Sequence, residues 1–143
     1  MYETHALNSN LTLWSDPVSV SVNETNVYDP KMFKIGSTYY MWLANQTTRY
    51  VEYASSANLL GPYTMQQTGN WAGWGNWREG AMLYQPTPSS WRAGLEDISA
   101  GAGRHVVSYS DCNNADFTLC VWTPLQPWHE DQKYRHGSIL VTP

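Results

Sequence analysis

Two acidic residues stand out by position. Asp29 opens the run Asp29-Pro30-Lys31-Met32-Phe33, and Glu79 opens Glu79-Gly80-Ala81-Met82-Leu83, 50 residues further on. Two carboxyl groups brought to one cleft are the equipment of glycosidic bond cleavage, in which a positioned acid protonates the leaving oxygen. Just before Glu79 lies Trp71-Ala72-Gly73-Trp74-Gly75-Asn76-Trp77. Its glycines loosen the backbone, and indoles such as Trp74 and Trp77 offer flat faces to sugar rings. Taken singly, Asp-Pro is a common turn dipeptide, Glu-Gly is no motif, and a Trp-rich loop is often a plug between elements. Their matched placement is what sets them apart.

That placement comes from a repeat. Gly and Pro punctuate the chain at short intervals, with Tyr-, Trp-, Val- and Ile-rich runs between them, the pattern of many short strands joined by tight turns. Strands are expected at 30–35, 38–44, 49–55 and 63–66, and again at 81–85, 91–98, 105–110 and 119–123. Tyr53-Ala54-Ser55-Ser56 of the first group corresponds to Ser108-Tyr109-Ser110-Asp111 of the second, and Gly61-Pro62-Tyr63-Thr64 to Val121-Trp122-Thr123-Pro124. Four strands in a unit of about 40–50 residues is the signature of a β-propeller blade. The expected fold is therefore all-β: a segment of four-stranded antiparallel blades, with a blade end at 6–20, blades at 29–66 and 79–124, and the first strand of another blade at 135–143. First strands of successive blades line one funnel, so Asp29 and Glu79 should converge. A small β-sandwich with accidental similarity between its halves is the alternative. Two blades do not close a ring, so the chain is expected to self-associate or to belong to a larger propeller. Cys112 and Cys120 bracket an insertion in the second unit, which a disulfide would staple.

Composition narrows the function. Among 143 residues there are 8 basic and 12 acidic side chains and no Lys/Arg cluster, which argues against a nucleic-acid footprint. No apolar run reaches the roughly 18 residues that span a bilayer. With 42% apolar and only 14% charged residues, the chain has the makings of a packed domain and not of a disordered one. The excess lies in 8 Trp and 10 Tyr against 2 Phe, favouring rings that stack while their N–H or O–H meets a polar partner. No metal-ligand spacing is present; His5, His105, His129 and His136 are scattered. Ser110, Asp111 and His105 lack the nucleophile-elbow sequence of a hydrolase triad. Three N-x-S/T sequons, at Asn10, Asn23 and Asn45, together with the cysteine pair, favour an exported protein.

Residues 6–143 resemble the later part of a five-bladed propeller of glycoside hydrolase family 43. The resemblance is carried by Val27-Tyr28-Asp29-Pro30, Thr38-Tyr39-Tyr40-Met41, Tyr53-Ala54-Ser55-Ser56, Leu59-Leu60-Gly61-Pro62-Tyr63, Trp77-Arg78-Glu79-Gly80 and Arg135-His136-Gly137. It implies inverting hydrolysis of arabinose- and xylose-containing plant polysaccharide, with Glu79 as general acid and Asp29 orienting it. Arg135 and His136 would line the sugar site with Trp74 and Trp77. No cofactor is implied beyond a metal ion near His136 at the funnel floor. The sequence departs from the family in three places. Nothing before Asp29 matches the first-blade Asp that serves as general base. Ala81 stands where Pro is usual. Glu96-Asp97 interrupts an otherwise apolar strand, as a solvated edge or as drift. The departures leave a second expectation, a non-catalytic carbohydrate-binding module derived from such a propeller.

Overall fold

A computed structural model of the chain describes residues 1–3, 7–99 and 106–129. His5, His105, Arg135, His136 and the strand expected at 135–143 lie outside the described residues. The rest is all-β, with one short 3-10 turn. β1 (Tyr2–Glu3) and β2 (Val18–Ser19) form a two-stranded ribbon. β3 (Val27–Ile35), β4 (Thr38–Asn45), β5 (Val51–Ser56) and β6 (Thr64–Gln67) form a four-stranded antiparallel meander in chain order. β7 (Arg78–Thr87), β8 (Ser90–Asp97), β9 (Val106–Cys112) and β10 (Gln126–His129) form a second meander of the same order. These are two propeller-type blades, and they do not close into a ring.

Burial explains why the second strand of the first blade reads as an unbroken apolar run. Alternate residues of a strand point to opposite faces, and both faces of this sheet are covered. Met41 and Leu43 pack with Ala54, Tyr63 and Val20 on one face, where the segment following β2 lies over the sheet. On the other face Trp42, Val51 and Tyr53 meet Ala81, Trp91, Ala93 and Leu95 of the second sheet. This junction is rich in aromatic rings. Trp42 sits 5.6 Å from Trp74 and 5.9 Å from Trp122 by ring centroids, and Phe117 is 4.8 Å from Tyr40.

The last strand of the second blade departs from expectation. Residues 119–123 form no strand; the fourth strand is Gln126–His129. The run instead straddles the end of a loop that Cys112 and Cys120 close with a disulfide, Cα–Cα 5.6 Å. Asp116 caps a 3-10 turn in that loop, its side chain accepting from the Thr118 amide, and the turn drives Phe117 into the junction at 1% exposure. Trp122 follows it inward.

Strand register also corrects the repeat. Tyr28 pairs with Ala44 and Lys31 with Trp42, the bulge lying between. Glu79 pairs with Glu96 and Met82 with Gly94, again with a bulge between. Tyr28 is therefore the positional equivalent of Glu79, and Asp29 that of Gly80, 51 residues apart. Both Asp29 (φ 57°) and Gly80 (φ 60°) adopt the left-handed conformation that such a bulge demands. The same register makes Gly94 of the second sheet the positional equivalent of Trp42 in the first; the Met82 side chain lies so close to Gly94 that a Cβ there would meet it at 2.8 Å.

Candidate functional site

The bulges bring Asp29 and Glu79 to one corner. Asp29 is the third residue of β3, and the left-handed turn of its backbone swings the carboxylate across to the second sheet. There its Oδ2 accepts the Gly80 amide at 2.7 Å. Glu79 is the preceding residue, 8% exposed, and its Oε2 accepts the Tyr28 hydroxyl at 3.2 Å. Tyr28 in turn accepts from Arg49 Nη1 at 3.5 Å. Burial pushes the Tyr28 phenol above its ordinary value; the Arg49 donor opposes this and neighbouring Glu79 adds to it.

Positively charged side chains complete this end of the molecule. The Arg49 guanidinium lies 5.2 Å from the centre of the Trp77 ring, a cation–π contact. The Arg49 carbonyl accepts the Arg78 amide at 3.2 Å, tying the turn before β5 to the start of β7. Arg78 pairs with Asp97 at 2.8 Å and also donates to the carbonyls of Asn76 and Trp77. The Glu96-Asp97 pair is thus no solvated edge. Glu96 is 2% exposed on the strand position facing Glu79, and Asp97 is held by Arg78.

The indoles of the loop before β7 divide in two. Trp77 is 43% exposed, in a left-handed conformation of φ 60° beside Arg49. Trp74, expected beside it at a sugar site, is 6% exposed and packs against Trp42, Trp71 and Trp122 in the junction. Trp71 donates its indole N–H to the Val51 carbonyl, and Glu52 accepts the Gly69 amide at 2.8 Å. The loop is therefore pinned to the first blade, with only Trp77 turned outward.

Backbone strain gathers in the same place. Among the described residues, five non-glycine residues have φ near 60°, and four of them, Asn26, Asp29, Arg49 and Trp77, belong to the turns and strand starts at this end. Each such conformation costs of order 1–3 kcal/mol and survives only where the surroundings hold it, a pattern that concentrates at functional sites. Sequence reading missed Arg49, an isolated basic residue before a strand with no motif around it. It quoted Tyr28 only as part of a longer run. Among the described residues, no group of three or more His, Cys, Asp or Glu side chains is arranged to hold a metal ion. No helix among them is long and apolar enough to cross a membrane. No protein-family model matches the chain, and no curated protein matches it significantly.

Proposed function

We propose that this chain is a glycoside hydrolase-type protein acting on arabinose- or xylose-containing plant cell-wall polysaccharide, with its site where Asp29 and Glu79 meet. The observation that carries the reading is the 2.7 Å bond from the Gly80 amide to Asp29, which fixes one carboxylate beside the residue bearing the other. Glu79 would give its proton to the glycosidic oxygen as the bond to the anomeric carbon breaks. A base on the opposite side of the sugar would deprotonate the attacking water, at a carboxyl separation of roughly 6.5–9.5 Å for inversion. That base would come from a further blade, completing a larger propeller. Asp29 would hold the Glu79 backbone in register, and Trp77, backed by Arg49, would stack on a sugar ring. Arg135 and His136 remain candidates for the funnel floor. The Cys112–Cys120 disulfide supports an oxidising, extracellular setting.

A second reading, carbohydrate binding without hydrolysis, is favoured by the low exposure of Glu79 and by the Tyr28 hydroxyl occupying one of its oxygens. One experiment separates the two. Xylo- and arabino-oligosaccharides are added to the protein and to its Glu79→Gln and Trp77→Ala variants, following Trp fluorescence and the release of reducing ends. Release that falls about 10²–10⁴-fold in Glu79→Gln supports the hydrolase. Quenching lost in Trp77→Ala, with no release from any form, supports the binding module. Neither signal from the unmodified protein refutes both.

A further inference from the structure

The blade junction has a second open end, far along the strands from Asp29 and Glu79. Here the end of β3, the start of β4, the start of β8 and the disulfide loop enclose a cleft of about 300 Å³. Its walls are Ile35, Tyr40, Trp91, Ala115, Asp116 and Phe117. The cleft is built, not incidental. The Trp91 indole N–H donates to the Ala115 carbonyl at 2.9 Å, the disulfide closes the loop that carries Ala115 to Phe117, and Phe117 forms the floor against Tyr40 and Trp91.

We propose that this cleft binds a small organic cation, an ammonium carrying methyl or short alkyl groups. Tyr40 and Trp91 supply aromatic surface that attracts positive charge, Ile35 and Ala115 accommodate alkyl groups, and buried Phe117 backs them. One charged side chain lines the cleft, and it is an acid. Asp116 uses Oδ1 to accept the Thr118 amide and hydroxyl, while Oδ2 takes no hydrogen bond among the described residues. A neutral apolar ligand would gain nothing from that carboxylate, and an anion would be repelled. The volume sits at the low end for ligand pockets, which selects a compact guest. The chain's net charge of -4 favours approach of a cation. This inference is independent of the proposed hydrolase site.

The test uses the whole chain with its disulfide intact, choline as the probe and 3,3-dimethylbutan-1-ol as its uncharged isostere. Titrations are followed by calorimetry and by NMR shifts of the Trp91 indole proton and the Ala115 amide. The expected result is saturable choline binding that moves both signals and is at least tenfold weaker for the isostere. Asp116→Asn keeps an acceptor for Thr118 while removing the charge, and should weaken choline binding at least tenfold. Absence of saturable binding, a preference for choline under tenfold, or undiminished binding by a folded Asp116→Asn protein each overturns the proposal. The isostere comparison is made on the unaltered protein, so it decides even where the variant does not fold.

Discussion

Tyr28 and Glu79 occupy the same register position in two successive sheets and are hydrogen-bonded to each other at 3.2 Å. The residues that follow them, Asp29 and Gly80, share the left-handed bulge conformation and are bonded as well. The candidate site is thus a meeting of two equivalent corners, one contributing a phenol and then an acid, the other an acid and then a glycine.

Glycine at position 80 is required by its backbone conformation. Gly80→Ala would force a side chain into φ 60°, at a cost of about 1–2 kcal/mol. Asp29→Ala would leave the Gly80 amide without its acceptor, at about 1–3 kcal/mol. Urea unfolding of the two single variants and the double variant should show less than additive losses, because both act on one contact. Additive losses would mean that the corners are energetically separate.

The disulfide loop should matter beyond its own residues. Closing a loop of this length contributes about 2–3 kcal/mol through the unfolded chain; the loop carries Phe117 into the junction, and Trp122 enters it two residues past Cys120. The Cys112→Ser/Cys120→Ser double variant should lose at least that amount in chemical denaturation and show a red-shifted Trp emission. An unchanged emission spectrum would show that the aromatic junction holds without the staple.

Arg92 and Asp111 form a two-pronged ion pair, Nε to Oδ1 at 2.6 Å and Nη2 to Oδ2 at 2.8 Å, and the guanidinium lies 4.3 Å from the Tyr109 ring centre. The hydrogen bonds that Asp111 accepts are the main reason that Arg92 holds its proton more tightly than a free guanidinium. Both side chains are about one third exposed, so solvent screening limits the pair. Asp111→Asn should cost only about 1 kcal/mol at low salt. That difference should shrink in roughly 1 M salt, where the Debye length is about 3 Å. A loss that ignores salt would assign the contribution to packing against Tyr109.

Alkaline pH should loosen the fold. Tyr28, Tyr53 and Tyr63 are all raised above the ordinary phenol value of 10.0, burial being the largest cause in each. The folded protein keeps these protons at a pH where the unfolded chain has released them, so their contribution is fully present below pH 10.0 and is lost as pH rises through the folded values. The urea midpoint should hold level toward about pH 9 with respect to these groups and fall by about pH 11. Tyr53→Phe should make that fall shallower; an unchanged slope would remove Tyr53 from the account.

Much of this architecture was legible because Gly and Pro punctuate short Tyr-, Trp- and Val-rich runs. β4 shows it directly, since both faces of its sheet are packed and the run Tyr39–Ala44 is unbroken. The run at 119–123 resembles a strand but is none: Trp122 alone turns into the junction just past the disulfide, while Leu119 and Val121 face solvent. The repeat offset was one residue short because aligning acid with acid is the natural choice, whereas the bulge aligns acid with glycine. Nothing in the spacing of Trp71, Trp74 and Trp77 tells which indole faces solvent; turns at Gly73 and Gly75 decide it. Arg49 becomes visible only once a turn of one sheet is laid against the start of the next.

The two sheets meet through unlike faces. The first offers the Trp42 indole, and the second receives it on Ala81, Ala93 and Leu95, whereas Gly94, the counterpart of Trp42, lies on the opposite face beside Met82. The joint is therefore directional: a chain with the two halves transposed would carry the same residues yet present Gly94 and Met82 where the indole is needed.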